Sequence, residues 1–348
     1  MKKFLREWML PIAMLTGASA YLIYHNIPCL QPAGPILAKI VGFVQPMLIF
    51  LMLFLSFCRI RPQDLKLHRW HLWLLGIQGG LFVLFGLLLL VLIPDKGAAA
   101  SAAASSAGMS GGELRLHILL ESAMICLICP TATASAVVTG KLHGDIAGIT
   151  TYIILVNILT SLLVPLMVPL IHPVAGFTFG VAFSMIVAKI FPLLIFPCLA
   201  AWLVRYLTPR LHRFILKYPD LPFQMWAIAL SLAIAVTTKA LVHTNVPFSD
   251  IVIMALVSLL CCAFQFWIGK KLGHLRGVQL AKRDSRAVDT IEITAGQALG
   301  QKNTVFAIWM GVTFMTPVTA VVGGFYSIWH NLYNSYQLRE IQKSKTKI

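Results

Sequence analysis

The chain has few charged residues, and far fewer acidic than basic ones. Only 11% of its 348 residues are Asp, Glu, Lys or Arg, whereas about a quarter is typical of a soluble protein. Hydrophobic residues make up 58% of the sequence, which excludes an ordinary soluble domain and predicts an integral membrane protein. The formal net charge of +16 does not indicate nucleic-acid binding, because the basic residues cluster in short gaps between apolar runs.

The sequence also lacks the motifs of common enzymes and metalloproteins. It contains no phosphate-binding glycine loop and no nucleophile elbow, so nothing predicts ATP hydrolysis or a catalytic centre. The seven cysteines lie mostly inside apolar runs, as small core residues do. Cys126 and Cys129 form one C-x-x-C without a second pair or a histidine cluster, so we expect no metal site and no cofactor.

What the chain does contain is a series of long apolar segments. A helix needs about 20 apolar residues to cross the hydrocarbon core of a bilayer. On this basis we expect an all-α polytopic membrane protein with ten transmembrane helices. The predicted spans lie near residues 8–26, 35–57, 70–94, 114–140, 146–171, 176–206, 222–243, 248–270, 288–315 and 317–336.

Most of the 28 Lys and Arg residues fall in the gaps that share one side of the membrane. Positively charged loops stay in the cytoplasm, so we expect both termini to be cytoplasmic. Lys2, Lys3 and Arg6 before an apolar run also resemble a secretory signal peptide. Because that run continues past Ala20 to Tyr24, we favour an uncleaved first helix.

The ten predicted spans divide into two groups of five, residues 1–172 and 173–348, within a single membrane domain. An odd number of spans in each group makes the second group an inverted repeat of the first. The equivalent fourth and ninth spans carry polar, helix-breaking residues over Cys129–Ser135 and Gly296–Thr304. Irregular backbone at membrane depth survives only where protein or a water-filled cavity satisfies it, so paired breaks indicate the binding site of a transporter.

Polar side chains at these breaks are the candidates for binding a substrate. The second half of a broken helix begins inside the membrane, where its free N–H groups and positive dipole end favour an anion. A single hydroxyl could simply bond back to its own helix, but two breaks at equivalent positions favour a site. The candidates are Thr131, Thr133 and Ser135 at the first break, and Asn303 and Thr304 at the second.

Three ionisable residues within predicted spans are further candidates. A charge at the centre of a membrane costs about 2.5–3.5 kcal/mol on insertion scales, so such residues tend to be functional. Lys302 lies within the second break, and Lys189 lies near the middle of the sixth span. Lys189 would contact substrate, or else snorkel or form a structural pair. Glu121 lies in the fourth span, and we expect Lys302 or Lys189 to be its partner.

These segments resemble the bile acid:sodium symporter family, and the resemblance covers most of the chain. The most specific matches are Pro130–Ser135 followed by Gly144–Asp145, Gly300 with Asn303, and Gly324–Asn331, which is similar to the family's closing F-S-V-W-H-N. The resemblance implies a ten-helix inverted repeat, with a mobile panel domain and a core domain crossed by the two broken helices. It also implies substrates that are mostly organic anions carried with sodium.

The chain departs from the family's pattern in these same motifs. The family's fourth-helix motif resembles P-G-G-T-A-S-N, and here Ala136 stands at the Asn position. Its ninth-helix motif resembles E-x-G-x-Q-N, and here Ala298 stands at the Glu position and Lys302 at the Gln position. The family's third-helix glutamine corresponds to Gln78, and its fifth-helix Ser/Thr pair falls on Asn157 and the residue before it. Gln78 and Asn157 are therefore candidates for a residual ion site.

Sodium needs oxygen ligands, and this chain has lost a carboxylate and gained an ammonium group. We therefore expect Lys302 to occupy or electrostatically replace the position of a sodium ion, with sodium dependence lost or reduced. Burial disfavours the charged form of a lysine, so proton coupling through Lys302, with Glu121 as a second titratable group, is an alternative. Uncoupled transport is another.

We expect a secondary active transporter that moves a small or amphipathic organic anion by alternating access. Its partners would be that anion and the lipid bilayer, in a bacterial inner membrane, and nucleic acid is not expected to bind. One alternative is an efflux carrier of a related fold group, of the arsenite or auxin type, which Cys129 favours slightly. Another alternative is a membrane sensor that does not transport. An enzyme is not expected.

Overall fold

The computed structural model describes residues 2–92, 111–173, 177–218, 221–243, 247–281 and 287–346. Within these residues the chain forms α-helices and short 3-10 helices, and no β-strand. The α-helices are α1 (Lys2–Asn26), α2 (Gly34–Phe57), α3 (Arg69–Leu92), α4 (Gly111–Ile128), α5 (Ala134–Lys141), α6 (Ile146–Ile171), α7 (Phe179–Leu194), α8 (Phe196–Leu207), α9 (Pro209–Leu216), α10 (Leu221–Val242), α11 (Phe248–Ala281), α12 (Ala287–Gly300), α13 (Thr304–Phe314) and α14 (Val321–Thr346). The 3-10 helices are Pro28–Ala33, Pro62–Asp64 and Pro317–Ala320.

Six helical segments are long and apolar enough to cross a membrane, with lengths of 19 to 32 residues. They are Pro28–Phe57, Arg69–Leu92, Ile146–Ile171, Phe179–Leu207, Gln224–Val242 and Phe248–Gln279. Large apolar side chains also face outward, for example Phe43 and Val91, which are 72% and 73% exposed. Such a surface is unfavourable in water and favourable in lipid. The chain is therefore an integral membrane protein.

Each predicted span coincides with one helix or with two consecutive helices. The sixth predicted span consists of two helices, α7 and α8, which meet at Ile195. Pro192 and Pro197 flank this junction, and neither has an N–H group for an intrahelical hydrogen bond, so the helix is weakest there. The predicted end of the sixth span near residue 206 agrees with the end of α8 at Leu207.

Two segments that were expected to be cytoplasmic loops are partly helical. The segment 205–217 contains α9, and α11 continues past its predicted end at residue 270. In α9 the buried His212 bonds the Cys58 carbonyl oxygen at 2.7 Å, while Arg210 and Arg213 are exposed. Clustered charge predicts an exposed segment, and an amphipathic helix meets that condition as well as a loop does.

The helices around the two interruptions pack together. α4 contacts α3, α11, α13 and α14, and α12 contacts α3, α5, α6 and α11. In a second set of neighbours α1 packs on α10, and α2 packs on α10 and α8, while both α2 and α10 also contact α13. A small apolar cluster that includes Trp70, Tyr152 and Ala298 joins α3, α6 and α12. The interruptions are thus enclosed by protein on several sides.

Two glycines one turn apart let α11 approach α12 closely. A Cβ atom on Gly269 would lie 2.6 Å from the Ala295 carbonyl oxygen, and one on Gly273 would lie 2.6 Å from the Ile291 carbonyl oxygen. Small residues four positions apart allow close packing of helices within membranes. This contact fixes α12, which carries the second interruption, against the long helix α11.

We expect Gly269→Ala to lower the midpoint of thermal unfolding of the purified protein in detergent micelles. The added methyl group would force α11 and α12 apart, and overpacking of this kind costs about 1–3 kcal/mol. Gly80→Ala is the matched control, because a Cβ atom there meets nothing within 4 Å. Equal changes in both variants would contradict the close packing.

Candidate functional site at the crossing of two interrupted helices

Two helices stop and restart within apolar segments of the chain. α4 ends at Ile128 and α5 begins at Ala134, while α12 ends at Gly300 and α13 begins at Thr304. Both interruptions are present where the sequence predicts them, but they are shorter than predicted. Gly296 to Gly300 remains helical, because a glycine within a helix weakens it without ending it when tertiary packing supplies the stability.

The two interruptions cross and pair through their backbones. Thr131 and Lys302 form an antiparallel bridge. On either side of it the Ala132 N–H donates to the Gln301 carbonyl at 3.0 Å, and the Asn303 N–H donates to the Pro130 carbonyl at 2.8 Å. Each break therefore supplies partners for polar backbone groups of the other, which the surrounding lipid could not do.

Carbonyl groups at the end of α4 accept hydrogen bonds from several other elements. This region would otherwise expose unpaired carbonyls at the negative end of the helix. The donors are Gln265 Nε2 to Cys126 (3.1 Å), Lys302 Nζ to Leu127 (3.2 Å), Gln78 Nε2 to Ile128 and Cys129 (both 3.1 Å), and Thr160 Oγ1 to Ile128 (3.0 Å). Together with the Asn303 N–H bond, they give every carbonyl from Cys126 to Pro130 a protein donor.

Side chains also satisfy carbonyl groups at the end of α12. The Thr131 hydroxyl donates to the Ala298 carbonyl, and the Tyr326 hydroxyl donates to the Gly300 carbonyl at 2.8 Å. Gln265 Nε2 in turn donates to the Tyr326 hydroxyl at 3.1 Å. The buried side chains of Gln265 and Tyr326 thus connect the two interrupted helices to each other.

Lys302 is buried at the centre of the crossing, with 1% of its surface exposed. Among the described residues, no carboxylate lies within ion-pair distance of its ammonium group, and its hydrogen bond goes to the Leu127 carbonyl. A cation at the C-terminal end of α4 is favoured by the helix dipole. Four thiols lie within electrostatic range of the ammonium, those of Cys126, Cys129, Cys261 and Cys262.

The predicted substrate-binding residues divide by what their side chains do. The side chains of Thr131 and Asn303 are hydrogen-bonded to backbone groups. The Thr131 hydroxyl donates to the Ala298 carbonyl, and Asn303 Oδ1 accepts from the Phe306 N–H at 3.1 Å and caps α13. The Ser135 and Thr304 hydroxyls are buried and have no described partner. Thr133 is partly exposed at the start of α5 and makes no capping bond. Ser135 and Thr304 are therefore the hydroxyls left for a ligand.

The two candidates for a residual ion site also differ. Gln78 is fully engaged with protein, because its amide nitrogen donates to α4 carbonyls and its Oε1 accepts from the Tyr152 hydroxyl at 2.9 Å. Asn157, on α6, is 1% exposed, and neither atom of its side-chain amide has a described partner. Buried amides are nearly always hydrogen-bonded, so Asn157 is a position where water or a ligand is needed.

The other two charged candidates lie away from the crossing. Lys189 is exposed on α7, with Nζ 5.6 Å from the centre of the Phe314 ring. The prediction that Glu121 pairs with Lys302 or Lys189 is wrong. Glu121 instead binds His117 and His172, because α4 carries the glutamate two turns before its end, where the end of α6 meets it.

Sequence reasoning missed Gln265 and Tyr326 as parts of the site. Gln265 is an amide residue within the apolar run of α11, a signal that could have identified it. Tyr326 lies in the segment that resembles the family's closing motif, but its contact with Gly300 joins residues 26 positions apart. That contact depends on how α14 folds back on α12.

Comparison with known proteins finds no protein-family model that matches this chain and no curated protein that is similar to it.

We expect Tyr326→Phe to lower the midpoint of thermal unfolding, since the Gly300 carbonyl would be left buried without its donor. A lost partner of this kind costs about 1–3 kcal/mol. Tyr333→Phe on the same helix is the matched control, because the Tyr333 hydroxyl has no hydrogen bond among the described residues. If the control loses as much stability as Tyr326→Phe, the hydroxyl does not support the crossing.

Proposed function

We propose that the chain is a secondary transporter of the bile acid:sodium symporter type, which moves a small or amphipathic organic anion by alternating access. The observation that carries the proposal is the buried crossing of two interrupted helices, with a lysine at its centre that pairs with no carboxylate of the described residues. Transporter binding sites lie near mid-membrane, where half-helices begin and end. The match between this arrangement and the motifs of the family supports the class of protein.

The charge at the crossing supports an anionic substrate. The Lys302 ammonium is buried, and no described carboxylate neutralises it. A buried charge without a counter-ion is costly, so an anion bound beside it would be stabilised. The free hydroxyls of Ser135 and Thr304, at the beginnings of α5 and α13, add donors at positive helix ends.

The hydrogen bonds of the crossing support a site that works without sodium. In many transporters the unwound carbonyls and the C-terminal ends of half-helices coordinate the ion. Here the carbonyls from Cys126 to Pro130 already accept from protein donors, and Lys302 supplies one of them. Ala298, fully buried at the position of the family's carboxylate, offers no side-chain ligand. Lys302 thus replaces an ion that the family carries.

The proposal includes ten spans in two inverted repeats, residues 1–172 and 173–348, with both termini in the cytoplasm of a bacterial cell. Each of the ten predicted spans overlaps one helix or two consecutive helices, and six helical segments are long and apolar enough to cross a membrane. The uneven placement of Lys and Arg supports the orientation. The packing of α1 on α10 and of α2 on α8 and α10, with contacts from α2 and α10 to α13, is what a panel lying against a core would need.

A second candidate function is efflux of a thiol-binding oxyanion such as arsenite. Four thiols, those of Cys126, Cys129, Cys261 and Cys262, lie within electrostatic range of the Lys302 ammonium. Trivalent arsenic is a soft centre, and soft centres bind cysteine sulfur. The thiols near Lys302 come from both α4 and α11. A small solute bound by thiols of both helices would be held between them.

We expect at least one organic anion to raise the midpoint of thermal unfolding equally in sodium and in potassium buffers. A ligand at about 100 times its dissociation constant adds roughly 2.7 kcal/mol to the stability of the native state. The panel runs from short monocarboxylates to bile acids, and includes arsenite. Stabilisation by arsenite alone favours the second candidate, and an anion effect that needs sodium contradicts the replacement of the ion by Lys302.

We expect Lys302→Gln to reduce uptake of the stabilising anion into proteoliposomes by more than tenfold, because the charge that attracts the anion is lost. Adding Ala298→Glu to this variant restores the family's residues at both positions, so uptake should return and become sodium-dependent. Lys239→Gln, at an exposed lysine of α10, is the control and should transport normally.

If uptake by Lys302→Gln is unchanged, including its pH dependence, Lys302 neither attracts the anion nor exchanges a proton during transport. Saturable binding by the unmodified protein without any flux would favour a sensor over a transporter. The unfolding midpoint of each variant is measured in parallel, so that a loss of transport is separated from a loss of folding.

A further inference from the structure

A second buried polar group lies away from the crossing, around the middle of α4. It consists of His117 and Glu121, one turn apart on α4, and His172, which follows the last residue of α6. We call these three residues the His–Glu–His cluster. One nitrogen from each histidine and one carboxylate oxygen all lie within 4.8 Å of one another.

The carboxylate of the cluster is held in a fixed orientation. His117 Nε2 lies 2.8 Å from Glu121 Oε1, and His172 Nε2 bonds the same oxygen. The other oxygen, Oε2, accepts from the Thr316 backbone N–H at 3.2 Å. Three segments of the chain therefore converge on one side chain that is completely buried.

The buried carboxylate has no strong cation beside it. Among the described residues, neither Lys nor Arg pairs with Glu121, and Arg115 on the same helix pairs with Asp250 at 2.7 Å. A buried carboxylate needs a compensating charge or it destabilises the fold. The cluster thus presents two imidazoles and one negative charge to whatever cation occupies it.

We propose that the His–Glu–His cluster binds a zinc ion. Two imidazole nitrogens and one carboxylate oxygen, with a fourth position left for water, form a ligand set that zinc uses in proteins. Magnesium and calcium prefer oxygen ligands, and copper(I) prefers sulfur, so this set favours zinc over those ions. The backbone bond from Thr316 acts as the outer partner that orients the ligating carboxylate.

The ligand atoms have to move apart to admit the ion. Zinc lies about 2.0–2.2 Å from nitrogen and oxygen ligands, which places neighbouring ligand atoms about 3.3 Å apart in a tetrahedral site. The His117 and Glu121 atoms are 2.8 Å apart, so they would separate by about half an ångström. In the bound state each Nε2 lone pair faces the metal, and its ring proton moves to Nδ1.

The three side chains of the cluster differ in exposure. The side chain of His172 is 23% exposed, whereas those of His117 and Glu121 are 3% and 0% exposed. His172 is therefore the most accessible of the three ligands. His117 Nδ1 is buried without a described partner, so the proton that zinc binding places there would need a water molecule. A bound ion would tie α4 to the end of α6.

The test uses the full-length protein, stripped of metal with a chelator and titrated with zinc chloride by calorimetry in detergent micelles. We expect one zinc per chain, and a rise in the midpoint of thermal unfolding with added zinc that magnesium chloride does not reproduce. His172→Gln removes the most exposed ligand with the least effect on packing. It should weaken zinc binding by more than the roughly 10- to 100-fold cost of losing an outer partner.

His274→Gln is the matched control, because His274 also pairs with a glutamate, Glu292, at 3.0 Å but at the surface. It should bind zinc as the unmodified protein does. Cobalt(II) provides a second readout, since its absorption spectrum distinguishes a four-coordinate site from hexahydrate. Zinc binding that survives His172→Gln, or no zinc binding by the unmodified protein, overturns the proposal. The second result would leave the cluster as a site for protons only.

Discussion

The two backbone hydrogen bonds exchanged between Pro130–Ala132 and Gln301–Asn303 are the interaction on which the rest of this structure depends. A helix that ends within a membrane leaves polar groups that lipid cannot satisfy. Here each broken helix satisfies part of the other, so neither interruption could exist alone. From neighbouring helices, the buried side chains of Gln78, Gln265 and Tyr326 donate hydrogen bonds to further carbonyl groups at the two interruptions.

Lys302 gives this crossing an unusual physical property, because its cation is covalently attached. A sodium ion that binds at a crossing can leave on either side of the membrane and so transmit its gradient to the substrate. A lysine ammonium offers a similar charge but cannot depart. On the proposed function, the ion gradient is lost as a driving force, and the gradient of the anion itself or a proton exchanged at Lys302 takes its place.

Helix α4 is held at its middle and at its end by polar contacts with distant parts of the chain. Its middle carries His117 and Glu121, which meet His172 and Thr316, and its end meets Lys302 and Gln265. Apolar packing between membrane helices has little preference for one axial position over another, since lipid tails are as apolar as leucine. The polar groups therefore set the position of α4, and with it the position of the first interruption.

The sequence by itself determined that this is an integral membrane protein, where most of its apolar helices lie and where two of them are interrupted, because these follow from local hydropathy and from helix-breaking residues. Only the tertiary structure decided which polar groups meet. Glu121 pairs with His172 rather than with a lysine, and Gly296 stays helical, since both depend on contacts between distant segments. A polar residue in an apolar segment indicates that a hydrogen-bond partner is needed, but the identity of that partner depends on how the helices pack.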